Sequence, residues 1–179
     1  MQLAVLDFWF KEAEPAQWWQ TDAEFDALIA RKFTRLLIQA AAGELYAWRD
    51  TAQGRLAEII VLDQFSRNVY RNSPKAFAQD SMALALSQEA VRAGVLAELG
   101  SEAERGFLLM PYMHSESKLI HELAVPLFKE HASANNYEFE LKHKMIVDRF
   151  GRYPHRNETL GRESSVEEIE FLKQPGSSF

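Results

Sequence analysis

The sequence predicts an all-α domain, and three observations carry that prediction. Apolar residues recur at helical spacing along most of the 179 residues. No stretch combines strict alternation with β-branched enrichment and turn punctuation, so no sheet is expected. The segment "IVLDQFSRNVYRN", Ile60–Asn72, returns late in the chain as "MIVDRFGRYPHRN", Met145–Asn157. Aligned without a gap, the Asp, the Phe, both Arg and the final Asn coincide. The other changes include the conservative swaps Ile/Met, Val/Ile, Leu/Val and Ser/Gly. Each copy reads as a buried helix ending in Asp-x-Phe-[Ser/Gly]-Arg, then a basic loop, then a newly capped helix.

The elements follow in order. Thr21 or Asp22 caps an amphipathic helix in which Phe25, Leu28, Ile29, Phe33, Leu36, Leu37 and Ala40 share a face, and Gly43 stops it. Leu56, Ile59, Ile60, Val61, Leu62 and Phe65 are apolar on too many sides for a surface helix. That stretch is expected to be buried nearly all round, with Asp63 as the exception. Asp80 is placed as the cap of a helix ending near Gly94. Ser101-Glu-Ala-Glu104 is a capping-box pattern, and Pro111 is expected to break or kink the helix it opens. Further helices are expected over about 115–134, bent at Pro126, and over 137–150, stopped by Gly151 and Pro154. Ser165-Val-Glu-Glu168 is a second capping box, opening a short helix through Leu172, and the tail "QPGSSF" reads as a frayed end. The sum is roughly eight helices in one domain over residues 1–179, with no linker.

Composition bounds the function. There is no cysteine, which excludes disulfides, thiolate metal sites and cysteine nucleophiles. Residues 1–20 lack the pattern of a signal peptide, and no apolar run approaches the ~18 residues needed to span a bilayer. A cytoplasmic location, away from the membrane, is expected. The net charge of −6 argues against nucleic acid as a partner. Yet Lys142–Arg162 holds six basic and two acidic residues, so a basic segment sits in an otherwise acidic chain. It serves either internal ion pairs or an anionic ligand.

The repeat holds the candidate site residues. Asp63 and Arg67 are four apart, acid first, as are Asp148 and Arg152, the order that favours an ion pair along a helix. The other reading brings Arg67, Arg71, Arg152 and Arg156 together around an anion, since the planar guanidinium suits carboxylate and phosphate. Asn68, His155 and Asn157 would orient that ligand. "MPYMHSES" is the second polar cluster. His114 there could act as an acid or base, with Glu116 or Asp63 as its partner, or it could merely cap a helix. The five histidines form no His-Glu-x-x-His, and no Walker A, Gly-x-Gly-x-x-Gly or Gly-x-Ser-x-Gly pattern occurs, so no metal, cofactor or serine elbow is expected. Phe8, Trp9, Phe10, Trp18, Trp19 and Trp48 are assigned to the core rather than to a cage for a quaternary amine.

"VLDFWF", "LDQFSRNVYR", "MPYMHSES" and "RFGRYPHRNETLGRESSVEEIEFL" together resemble a mainly bacterial family catalogued as domain of unknown function nine hundred and twenty-four. The resemblance spans Val5 to Leu172. It implies a tetratricopeptide-like, right-handed superhelix of antiparallel helix pairs, and it implies no activity. The offset of 85 residues between the copies, Ile60 to Met145, is not a multiple of the 34-residue tetratricopeptide period, and that repeat's Trp-x-x-Leu-Gly-x-x-Tyr signature is missing. The leading expectation is a helical-repeat binding domain for an anionic small molecule or an acidic peptide. The alternatives are an enzyme on a phosphorylated or carboxylated substrate, with His114 as acid/base, and a purely structural or protein-interaction repeat. A large exposed apolar patch near Trp18–Trp19 would point to a homodimer or to another partner.

Overall fold

The computed structural model describes residues 1–178. Among them the chain is helical, with no strand. The α-helices are α1 (Gln2–Asp7), α2 (Ala23–Ala41), α3 (Ala52–Ile60), α4 (Ser66–Val69), α5 (Asp80–Arg92), α6 (Glu102–Met113), α7 (Lys118–His131), α8 (Ala134–Phe150), α9 (Asn157–Leu160) and α10 (Val166–Leu172). The excess over eight is made of one-turn pieces. α3 and α4 are parts of one run interrupted by a π-helical turn, Val61–Phe65, and α1 runs on into another, Phe8–Glu12.

Local chemistry sets the ends. The Asp22 side chain accepts from the amides of Glu24 and Phe25 and so opens α2, and the capping boxes at Ser101 and Ser165 are both formed. Asp80 is not a cap. It is the first residue of α5, Gln79 precedes it without a side-chain bond, and the Asp80 carboxylate is taken by Arg67. α6 continues through Pro111 to Met113, and α7 starts at Lys118 and runs through Pro126 to His131, short of the expected bounds. A lost amide donor does not end a helix whose other turns are buried on both sides, as Gly106 to Met113 are. Ser133 opens α8 three residues earlier than the apolar pattern suggests. The tail leaves helix after Leu172 and is exposed except at Ser177, which is buried and whose hydroxyl donates to the Leu172 carbonyl.

The core is built around α3. Every residue from Leu56 to Ser66 is buried, Asp63 included, so the expected polar exception is a buried carboxylate. α1 and α5 pack on α3, and α2 packs on the π turn and α4. Gly54 is obligatory at the start of α3, since a Cβ there would lie 1.9 Å from the Trp48 carbonyl oxygen. Phe8, Trp9 and Phe33 meet Phe65 at 6.2, 5.6 and 4.7 Å between ring centroids, which puts the two π turns in contact. Burying each such ring is worth about 2 kcal/mol or more. α6, α7 and α8 pack in succession, joined by the short links 114–117 and 132–133. A second, small cluster of Ile146, Val147 and Tyr153, with Phe150 and Phe171 against it, lies at the end of α8 and in the segments that follow. No helix among the described residues is long and apolar enough to cross a membrane.

The two copies of the repeated segment differ before their Ser/Gly position, since Val61–Phe65 form a π turn around buried Asp63 whereas the second copy stays α-helical to Phe150 with Asp148 exposed, and at that position they part altogether. Ser66 has right-handed helical geometry and carries the chain on into α4. Gly151 takes φ +71° and ends α8. After that point the same letters make different bonds.

Candidate active site

A cleft of about 760 Å³ opens between the π turn with α4, the end of α6, and the segment around Tyr153–Arg156. Its wall includes Arg67, Asn68, Arg71, His114, His155 and Arg156, so five of the seven expected ligand residues meet His114 there. Arg152 and Asn157 do not join them. Arg152 turns to Glu168, 2.7 Å away, and to the Glu163 carbonyl. Its i−4 neighbour Asp148 pairs with Lys144 at 2.6 Å instead. Asn157 is buried, donating to the Ser164 hydroxyl and accepting from Arg162. Two differences account for the loss: the second copy lacks the π turn that buries Asp63, and Gly151 takes the chain off the helical path that keeps Arg67 beside Asp63.

Asp63 lies inside the π turn. A π turn adds a residue to one helical turn and turns a side chain out of register, and such turns recur at functional sites. Oδ1 of Asp63 lies 2.7 Å from His114 Nδ1 and 3.2 Å from Arg67 Nη1, and Oδ2 accepts from the Gln64 amide at 2.5 Å. Burial pushes the Asp63 carboxyl upward, but His114, Arg67 and these hydrogen bonds outweigh it and hold the group well below the usual carboxylate range. Burial, reinforced by the Arg67 charge, lowers His114 despite Asp63. The pair is therefore an ionised carboxylate and a neutral imidazole. Nδ1–H donates to Asp63, which leaves the lone pair on Nε2. Nε2 makes no hydrogen bond among the described residues, and His114 lines the cleft.

Glu116 is not part of this pair. It receives both Arg162 nitrogens, at 2.6 and 2.9 Å, and the Tyr153 amide at 2.7 Å. Burial would raise it, but the Arg162 and Tyr153 bonds keep it low. Its work is to tie the loop after α6 to the chain's last third.

The guanidiniums are compensated. Arg67 binds Asp80 through two parallel bonds of 2.9 and 3.0 Å. Arg71 grips Asp26 in the same manner, and Asn68 donates to that carboxylate at 2.8 Å. Arg156 is buried between the rings of Phe77 and Tyr153, 4.7 and 4.6 Å away. Its Nη1 reaches Asp80 only at 3.4 Å, its Nη2 donates to the His114 carbonyl at 3.1 Å, and its Nε has no partner among the described residues. Three arginines thus face Asp26, Asp63 and Asp80. An anion is not required to keep them apart, contrary to the charge imbalance the sequence suggests.

Sequence reasoning missed the supports of His114. Three successive carbonyls at the end of α6 would lack helical partners. The Tyr153 hydroxyl donates to Met113 O at 2.5 Å, Arg156 to His114 O, and His121 Nε2 lies 2.9 Å from Ser115 O. Buried Glu140 sits 2.7 Å from His121 Nδ1 and fixes that ring, and burial raises the Glu140 carboxyl. These partners are far apart in sequence, so no local pattern announces them. Among the described residues, no group of three or more His, Asp or Glu side chains could hold a metal ion.

The fold is not unique to this chain. It superimposes on the solved structure of a protein of unknown function, ATU0120 from Agrobacterium tumefaciens, with a TM-score of 0.91, 35% identity and 96% of each chain covered. No curated protein matches the sequence. Residues 5–176 match the family described as bacterial protein of unknown function, DUF924. With nearly the whole chain covered by that match, the protein belongs to this family.

Proposed function

We propose that the cleft is the active site of an enzyme acting on a small substrate with a carboxylate or phosphate group, and that His114 is its general base. One observation carries this: Asp63 holds His114 through Nδ1, while the residue lines the cleft and its Nε2 makes no hydrogen bond among the described residues. A neutral, oriented imidazole accepts a proton from a substrate or from water, and the ionised Asp63 stabilises the imidazolium that forms. Arg156, with the weakest carboxylate contact of the three arginines, is the group that would take the substrate's negative charge. Asn68 and His155 stand on the same wall to orient it.

The scaffold in this proposal is a single cytoplasmic domain over residues 1–179. The tetratricopeptide-like stacking of helix pairs implied by the resemblance serves it as a rigid frame. A pure binding domain for an anionic small molecule or acidic peptide is the second reading, favoured by the guanidiniums in the wall. It is weakened by the carboxylates that already satisfy Arg67 and Arg71.

A thermal-shift screen of carboxylated and phosphorylated metabolites, followed by mass spectrometry of each hit after incubation, tests the proposal. A ligand at a hundred times its dissociation constant adds about 2.7 kcal/mol of stability, an easily read shift. The expected result is a hit that the wild type consumes and His114→Asn binds but consumes at least about a hundredfold more slowly. Hits that bind both forms and are never consumed would leave a binding domain.

A further inference from the structure

The wall of the cleft has two parts. His114, backed by buried Asp63, lines it together with Arg67, Arg71 and Arg156. Trp18 and Trp19 line it as an aromatic shelf, with Met110 and Met113 beside them on the wall. The shelf is rigid. The Trp18 indole donates to the Trp9 carbonyl at 3.0 Å, and Trp18 and Trp19 meet edge-on at 6.3 Å. Trp18 packs on Phe107 at 5.1 Å, and Trp19 stacks on the same ring at 5.7 Å with an 11° tilt. Trp19 nevertheless stays 56% exposed, so a fixed indole faces open space beside the cleft.

α6 is the ruler between the two parts. Phe107, Met110 and His114 fall at i, i+3 and i+7 on one side of it, which places the Phe107 shelf about 10 Å along the helix axis from His114. The charge of the polar part is balanced, three arginines against three aspartates. A doubly charged head group would find no net positive field there. A single negative charge meets Arg156, whose guanidinium is not saturated.

We propose that the substrate is amphipathic: a carboxylic acid, or a derivative of one, whose polar group lies at His114 and Arg156 and whose aromatic body stacks on Trp19. This rests on the cleft being the active site. Stacking a ring on a preorganised indole is worth about 0.5–1.5 kcal/mol beyond the apolar area it buries. Together these terms give the ring at least about a tenfold gain in affinity over the bare acid.

Calorimetry with acetate, 3-phenylpropionate, indole-3-propionate and inorganic phosphate, on wild type, Trp19→Phe and Trp19→Ala, tests this. The ¹⁵N resonance of His114 Nε2 is followed in parallel to locate the ligand. The two aryl acids are expected to bind wild type and Trp19→Phe at least about tenfold more tightly than acetate or phosphate, and to lose that advantage in Trp19→Ala. Each bound acid should move the His114 signal. Trp19 is exposed, so its substitution leaves the core intact. Phosphate or acetate binding as tightly as the aryl acids, with the His114 signal moved, would overturn the amphipathic substrate and leave the active site standing. Aryl acids that bind without moving His114, or bind Trp19→Ala equally well, would overturn it too. So would the failure of all four probes to bind, whereas loss of turnover in His114→Asn judges the active site independently.

Discussion

His114 is neutral because burial and the Arg67 charge together outweigh the attraction of Asp63. That balance sets how the site should respond to pH. Protonated His114 cannot accept a proton, so kcat/KM is expected to rise with pH along a limb centred below 6.5, the ordinary value for imidazole, and to be level above it. Steady-state kinetics on a consumed substrate, from pH 4 upward, measures the limb. A midpoint above 6.5 would mean that the Asp63 attraction dominates. Arg67 carries a second duty at this scale. It spans Asp63 and Asp80 at 3.2 and 2.9 Å, so it joins the π turn to the first turn of α5. Asp80 also faces Arg156, and removing it would leave two largely buried guanidiniums without their shared counter-charge, a loss of about 3–5 kcal/mol.

Among elements, the end of α6 is the one on which the site depends. A local turn satisfies Met110 O and Tyr112 O, but the next three carbonyls, of Met113, His114 and Ser115, are satisfied by side chains from the Tyr153 segment and from α7. Tyr153→Phe keeps the buried ring and removes only the hydroxyl, leaving Met113 O without its donor. It is expected to cost about 1–2 kcal/mol in urea unfolding. It should also lower turnover more than substrate affinity, since the hydroxyl is spent on Met113 O and its loss loosens the turn that carries His114. Equal loss of both would place Tyr153 in direct contact with substrate.

The same element shows what the chain announces locally and what it hides. The caps at Asp22, Ser101 and Ser165, the stops at Gly94 and Gly151, and the all-round burial of 56–65 are short-range signals and were legible. The π turns were not, because a stretch apolar on every side has no periodic phase from which a slipped residue would show. The ion-pair partners were hidden for a related reason. Four-residue spacing suggested Asp148 for Arg152, whereas the fold supplies Glu168; Arg71 finds Asp26 across the fold. Of the candidate site, Asp63, His114 and most of the arginines could be read from the sequence. Asp80, Tyr153, His121 and Glu140, which hold them in place, could not.

For the whole molecule, buried histidines set the response to acid. Burial lowers His155 to about 4 and His143 to about 3. The unfolded chain takes up those protons near pH 6.5, so both groups contribute their full stability above that pH and lose it as the pH falls through 6.5 toward 4 and 3. Asp63, held low in the fold, adds a loss at still lower pH. The melting temperature is expected to fall by many degrees between pH 7 and pH 4, and by about half as much in a His143→Phe variant that folds, since His155 still titrates over the same range. Calorimetric scans across that range check it. A flat profile would mean that both rings take up protons in the fold as readily as in the unfolded chain.

The two hydrophobic clusters are of very unequal size. The large one gathers residues from Val5 to Phe128, the small one little more than Ile146, Val147 and Tyr153. Asp63 and His114 are rooted in the first, while the hydroxyl and guanidinium that clasp the His114 turn belong to the second. The smaller body can come away at a lower cost than the larger one melts. Such an excursion would leave a folded protein with its base in place and its latch undone. Weakening the grip of the last thirty residues is therefore expected to loosen the turn at His114 before it melts the large cluster.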